Sequence, residues 1–234
     1  MKQDIFGKAI QDFYTTKKDR NIRVISEDFD DDQIPVSYLF RNYKQMPKIE
    51  QIALKKVKGK ILDVGCGAGC HSIYLNNKGL DITAIDTSKG AVETLKKQGV
   101  IQSFCNDFYE HDGKYDTILL LMNGSGIIGK LKNIDRFFTQ LRKLLTPNGQ
   151  VLIDSSDLIY LFENEDGEFW VDLSEGYYGE MSYQMSYNGE ICPPFDWLYI
   201  DYQTLESAAH ANYFNCEVIH SGENYDYLAR LSLA

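Results

Sequence analysis

Three glycines spaced by two, Gly65, Gly67 and Gly69, follow directly on Ile61-Leu62-Asp63-Val64, a short run of strand character containing an acid. Glycine has no Cβ, so a chain with this spacing turns sharply and comes close to a ligand. The next residues, Cys70 to Asn77, read as a helix whose first N–H groups face the same point. A second acid, Asp86, stands seventeen residues beyond Gly69 and ends another apolar run, Ile82-Thr83-Ala84-Ile85. The chemistry served is the grip of a nucleoside, with the glycine turn under one end and a carboxylate on the ribose hydroxyls.

Dinucleotide folds use G-x-G-x-x-G, whereas here the third glycine comes one residue early and Cys70 occupies the expected glycine position. Asp63 would repel a pyrophosphate and attract a cation. S-adenosylmethionine carries an ammonium and a sulfonium and no phosphate, so it fits this loop better than a dinucleotide does. Here the chain resembles the class I S-adenosylmethionine-dependent methyltransferases, whose first motif is an apolar-acid-apolar-Gly-x-Gly-x-Gly run. The resemblance continues from about Ile61 to Leu233.

The resemblance implies a Rossmann-like α/β fold: a seven-stranded sheet with helices on both faces and an antiparallel last strand. It also implies S-adenosylmethionine as cofactor and S-adenosylhomocysteine as product. Asp63, Gly65, Cys66, Gly67 and Gly69 would form the glycine loop, with Asp86 and Thr87 at the ribose. Asp107 takes the place of the acid that bonds the adenine amino group; Asn106 and Phe108 flank it, and Phe108 offers a face for stacking. Asn123, in the loop Met122-Asn123-Gly124-Ser125-Gly126 after the fourth strand, would contact cofactor and substrate. Tyr38-Leu39-Phe40-Arg41 and Met46-Pro47 resemble the N-terminal lid of a bacterial small-molecule subgroup. There Tyr38 lies over the cofactor, and Arg41 pairs either with the methionyl carboxylate or with nearby surface acids.

Strand runs and helical runs alternate from Lys60 to Asp154, which calls for parallel strands joined by right-handed crossovers. Asp63, Asp86, Asp107, Asn123 and Asp154 then fall at strand ends on one edge, where such sheets bind ligands. Ser88 reads as the cap of a helix reaching Lys97, and Asn133 or Asp135 opens one that ends before Pro147. Residues 1–58 read as an N-terminal helical lid, with apolar spacing at Ile5, Phe6, Ala9, Ile10 and Phe13, a loop at the charge run Glu27–Asp32, and a helix over Lys48–Lys58. Residues 59–234 make the cofactor domain, with a substrate-covering insertion at about 157–202. That insertion is rich in aromatics, including Trp170 and Trp197, and its alternation across Met181–Tyr187 before Asn188-Gly189 predicts a hairpin with Trp197–Ile200 as partner. A last helix over Leu205–Tyr213 and a closing strand over Tyr225–Leu233 complete the reading.

Net charge is −10, and between Leu144 and Ala229 there is no Lys or Arg, while acids recur throughout. Nucleic-acid binding needs cations along the phosphates, so the expected partner is a small-molecule methyl acceptor, with no nucleic acid and no membrane. The acidic half is either a solvated skin or a pocket that welcomes an amine. No apolar run approaches the roughly 20 residues of a membrane span, and Met1–Phe6 lacks the core of a signal peptide, so a cytoplasmic protein is expected. Cysteines 66, 70, 105, 192 and 216 form no C-x-x-C pair, which points to reduced thiols. Cys66, Cys70 and His71 sit where the cofactor needs room, so no metal is expected.

A sulfonium methyl is already activated, so the enzyme must chiefly align an oxygen or nitrogen nucleophile behind it and exclude water. The candidates to orient the acceptor or take its proton are Asp157, Tyr160 and His111, and Asp157 could equally cap the following turn. His71 is placed to close the cofactor site. The loop Met122–Gly126 lacks the Asn/Asp-Pro-Pro-aromatic sequence of amide or adenine methylation, and Cys192 precedes Pro193 in the reverse of the cytosine-C5 order. The alternatives are a methyltransferase for protein or ribosomal RNA, an aminopropyl transferase, and a non-catalytic S-adenosylmethionine-binding module.

Overall fold

Helix α1 (Ile5–Thr16) starts where Asp4 Oδ1 accepts the Gly7 N–H at 2.8 Å, satisfying one of the free donors of its first turn. The computed structural model describes residues 4–26, 29–162, 166 and 176–234. After α1 come strands β1 (Asn21–Ser26) and β2 (Asp32–Pro35), then helix α2 (Lys48–Lys56). The alternating section follows as β3 (Ile61–Val64), α3 (Cys70–Asn77), β4 (Ile82–Asp86), α4 (Lys89–Lys97), β5 (Ser103–Cys105), β6 (Tyr115–Leu120), α5 (Ile134–Leu144) and β7 (Leu145–Ser156). The remainder holds β8 (Glu180–Tyr187), β9 (Glu190–Ile191), β10 (Phe195–Leu198), α6 (Tyr202–Ala211), β11 (Phe214–Ser221) and β12 (Asp226–Leu233).

Seven strands make the central sheet in the order β11-β12-β7-β6-β3-β4-β5, with only β12 running against the rest. Alternation decides its two faces. Leu62, Ile118, Leu120, Val151 and Ile153 point to a core shared with Phe137, Phe138 and Leu141 of α5 and Leu205 of α6. Ile61, Leu119, Leu121 and Leu152 point the other way, to Ala53 of α2, Leu75 of α3 and Leu95 of α4. Burial on both faces explains why these strands read as continuous apolar runs.

A second sheet, β10-β8-β1-β2 with β9 beside β8, shares no ladder with the first. It corrects two expectations. The span 1–58 is not wholly helical, because β1 pairs with β2 and, through Arg23↔Ser186 to Ser26↔Tyr183, with β8. The turn at Asn188-Gly189 leads into β9, which pairs with β8 at Tyr187↔Glu190, and the longer partner is Phe195–Leu198, not 197–200. Tyr199 leaves the ladder and its N–H bonds Gly179 O at 2.8 Å. β11, a strand outside the elements expected from the sequence, pairs with β12.

Candidate functional site

Strand register sets the site. Asp63 pairs with Ala84 and Leu119, and Leu119 with Leu152. Two residues further on, Gly65, Asp86, Leu121 and Asp154 therefore share one row at the carboxyl edge, with Cys105 beside Asp86.

The loop leaves β3 through Gly65 at φ +70 and enters α3 through Gly69 at φ +89, both left-handed. At Gly65 a Cβ would meet open space, so the loop is open on the side a ligand would occupy. At Gly69 a Cβ would collide with the Leu95 side chain of α4. Gly69→Ala is therefore expected to lower stability by about 1–3 kcal/mol, read from the urea midpoint; an unchanged midpoint would show that Leu95 and the loop yield without cost. Asp86, buried, accepts Gly67 N–H through Oδ2 and Ser88 N–H through Oδ1, each at 2.8 Å. Burial raises its pKa, against those two bonds. A carboxylate offers about four acceptor positions, so two remain for a vicinal diol. Thr87 beside it is exposed, and Cys66 is buried. Asp107 is exposed and accepts Tyr109 N–H at 2.7 Å; Asn106 lies next to it, half-buried.

Charged groups gather at the amino end of α3. Arg41 Nη2 lies 2.6 and 2.7 Å from the two oxygens of Glu50, and His71 Nε2 lies 2.7 Å from Glu50 Oε2. Arg41 Nη1 donates to Tyr38 O at 2.9 Å, and its guanidinium lies 4.3 Å from the Tyr38 ring centre. Asp63 accepts from Ser72 Oγ at 2.5 Å. Burial opposes ionisation of Glu50, but His71 and Arg41 outweigh it and hold its pKa below the usual carboxylate value. Burial likewise opposes a charged His71, and Cys70, Glu50 and Asp63 outweigh it, so its pKa lies well above the ordinary histidine value. Asp63, with less compensation, is pushed up by burial. Arg41 thus pairs with a buried acid from α2 and not with surface acids. Nothing in the sequence singled out Glu50; its only signal is an acid on the otherwise apolar face of α2 with Ile49, Ala53 and Leu54. Donor atoms of Glu50, Cys70 and His71 lie within 4.8 Å of one another, but a guanidinium against both Glu50 oxygens opposes a cation there.

The loop after β6 is bent through two left-handed residues, Met122 at φ 68 and Asn123 at φ 55. Asp154 straddles that bend, accepting Met122 N–H at 3.1 Å and Gly124 N–H at 2.9 Å, and Ser156 Oγ donates to Asn123 Oδ1 at 3.0 Å. Ser125 Oγ donates to Leu198 O at 2.8 Å, and Ile200 N–H donates to Ser155 Oγ at 2.9 Å, which ties the end of β10 to the carboxyl edge. A Cβ on Gly126 would fall inside the Trp197 indole, so glycine alone admits that ring. Trp170 lies outside the described residues.

The three candidates to orient the acceptor separate. Asp157 continues from β7 at the carboxyl edge, where its Oδ1 accepts Tyr178 OH at 2.7 Å and Ile159 N–H at 2.9 Å, so it also caps the next turn. Burial and that bond push the Tyr178 pKa upward, so the phenol stays a donor. Tyr160 is exposed and stacks on Tyr225 at 5.3 Å. His111 lies elsewhere: its Nε2 is 2.8 Å from the hydroxyl of Tyr115, which begins β6 at the opposite edge, and Asn106 Nδ2 is 3.2 Å from its Nδ1. Burial lowers its pKa, so the ring favours the neutral form; its two nitrogens are engaged by Tyr115 and by Asn106, which follows Cys105 in the edge row. Phe108 also departs from expectation. The capped turn after Asp107 drives its ring into the core, 5.8 Å from Phe137, where it offers no face to adenine.

These residues are chemically suited to S-adenosylmethionine: acids able to meet an ammonium and a diol, an open side at Gly65, and in buried Arg41 an Nε without a partner among the described residues. Residues 37–217 match a family model described as a methyltransferase domain. A crystal structure of a SAM-dependent methyltransferase from Bacteroides fragilis, in complex with S-adenosyl-L-homocysteine, is 49% identical with a TM-score of 0.93, covering 99% of this chain and 95% of that one. A ubiquinone biosynthesis O-methyltransferase of Rickettsia conorii is 32% identical over 42% of this chain and 35% of its own length. The putative methyltransferase YqeM of Bacillus subtilis is 26% identical over 48% of each. The matches thus span between about a third and a half of these curated relatives. With the seven-stranded sheet and the glycine loop, the match over most of its length makes this chain a member of the S-adenosylmethionine-dependent methyltransferases.

Proposed function

We propose that the methyl group is transferred to a nitrogen or oxygen of a small molecule bearing an amine, bound between the carboxyl edge and the second sheet. The observation that carries this reading is charge: from Leu144 to Ala229 no Lys or Arg is present. The acids of that segment include Asp157 at the edge and Asp201, which accepts Tyr177 OH at 2.6 Å. Such a mouth attracts an ammonium and repels phosphate. The Rickettsia relative's name, an O-methyltransferase of ubiquinone biosynthesis, is in keeping with a small acceptor.

When bound, S-adenosylmethionine supplies a methyl group activated by its sulfonium. The chain's own residues hold and align the acceptor. Trp197 on Gly126 walls one side, and Asp157, steadied by Tyr178, receives the acceptor's amine or its proton. Asp157→Ala is expected to lower kcat/KM for the acceptor by about 10²-fold with S-adenosylhomocysteine affinity unchanged; equal rates would remove Asp157 from the acceptor. Trp197→Ala is expected to change the kcat/KM ratio between a small and a bulky acceptor by about ten-fold, and unchanged selectivity would make the indole a packing residue only. The direct test incubates the protein and S-adenosylmethionine with separated metabolite, protein and RNA fractions of a cell extract. Mass spectrometry should find the added methyl on amine-bearing metabolites. Methylation confined to protein or RNA would overturn the proposal.

A further inference from the structure

Four ionisable side chains, Arg41, Glu50, Asp63 and His71, are buried together at the start of α3. Stability does not explain them. Taking charges out of water is costly, and apolar residues of similar volume hold a core at least as well as a buried ion pair does. One donor of the cluster is also unspent. Arg41 is 4% exposed, its Nη groups are engaged by Tyr38 O and Glu50, and its buried Nε–H has no partner among the described residues. A buried donor left open is costly, unless an acceptor arrives with a ligand. The place favours an anion: the eight-residue helix α3 begins there, and its first N–H groups carry partial positive charge.

We propose that Glu50 is a positioning residue, whose carboxylate holds the Arg41 guanidinium and the His71 ring at the start of α3 so that Arg41 Nε meets the carboxylate of the cofactor's amino-acid end. This rests on the reading that Arg41 binds that carboxylate. Glu50 suits the role because one oxygen faces Arg41 alone while the other lies between Arg41 and His71, so a single side chain fixes two cations from different segments. Tyr38 supports the guanidinium from its flat side. Asp63, bonded to Ser72 on the same helix, stands as the acid for the adjoining ammonium. The two ends of an amino-acid zwitterion would thus be read by groups that the fold has already oriented, which lowers the cost of ordering on binding.

The test compares two ligands by calorimetry on the full chain: S-adenosylhomocysteine, and 5′-(3-aminopropylthio)adenosine, which lacks only the carboxylate. Three variants are used: Arg41→Met, Glu50→Gln, and Glu50→Asp, which keeps the charge and should fold where the glutamine variant does not. Each is expected to weaken S-adenosylhomocysteine about ten-fold or more, the effect of one lost charge-assisted hydrogen bond, while affinity for the decarboxylated analogue changes by less than about three-fold. A merely structural Glu50 would weaken both ligands alike, and that result overturns the proposal. So does wild-type affinity for both in folded Glu50→Asp. If Arg41→Met itself fails to discriminate the ligands, the reading of Arg41 falls, and the proposal with it. If Arg41→Met discriminates and the Glu50 variants do not, that reading stands and only the role of Glu50 is lost.

Discussion

Asp86→Ala is expected to weaken S-adenosylhomocysteine binding by about 10²-fold or more while shifting the melting of the ligand-free protein only slightly. Two charge-assisted hydrogen bonds to ribose hydroxyls contribute about 1.5–3 kcal/mol each, and each 1.4 kcal/mol is ten-fold in affinity. The effect on folding is smaller because two terms oppose one another. Alanine leaves the N–H groups of Gly67 and Ser88 without their acceptor, but it also removes a buried carboxylate whose pKa burial has raised. Part of the binding loss would come from the glycine loop, since Gly67 N–H is one of the groups released. Calorimetry and a melting curve on the same sample separate the two. Wild-type affinity would remove Asp86 from the ribose.

Asp154 is expected to make the protein more stable in mild acid than at neutral pH, by an amount visible against Asp154→Asn. Burial pushes its pKa up to about 7, against the bonds from Gly124 and Met122, with Glu50 adding to the rise and His71 reducing it. In the unfolded chain an aspartate titrates near 3.9. Between about pH 4 and about pH 7 the folded protein therefore keeps a proton that the unfolded chain has lost, so stability falls as pH rises through this window and levels off above it. Three pK units correspond to on the order of 4 kcal/mol. Urea unfolding at about pH 5 and about pH 8 should show the wild type gaining on Asp154→Asn at the lower pH. An equal difference at both would mean that Asp154 titrates as an ordinary carboxylate. The cost of ionising Asp154 is spent on the bend at Met122 and Asn123, since asparagine has one acceptor oxygen where two N–H donors converge.

Much of the cofactor half was legible because its signals are local. Ser88 accepts Ala91 N–H at 3.1 Å as the cap of α4, β3, β4 and β6 fall where the apolar runs lie, and the closing antiparallel strand is β12. The misreadings share a cause. β1 and β2 are short and partly exposed, and the brief alternation Asn21-Ile22-Arg23-Val24 cannot show that β1 pairs with β8 about 160 residues later. Closeness in sequence to Asp107 does not fix where Phe108 points: one turn of chain carries its ring into the core against Phe137.

The cofactor chemistry was determined by sequence alone. A glycine turn, an acid before it and acids at successive strand ends are set by neighbouring residues, and alternating strands and helices bring those ends to one edge. What lies around that chemistry was decided by tertiary structure. Glu50 becomes the counter-ion of Arg41 and His71 only when α2 and α3 pack together, and Trp197 reaches Gly126 only when the second sheet closes over the first. Asp154 acquires a raised pKa only when folding removes its water. Desolvation and long-range contact are properties of the packed chain, and no local pattern of residues encodes them.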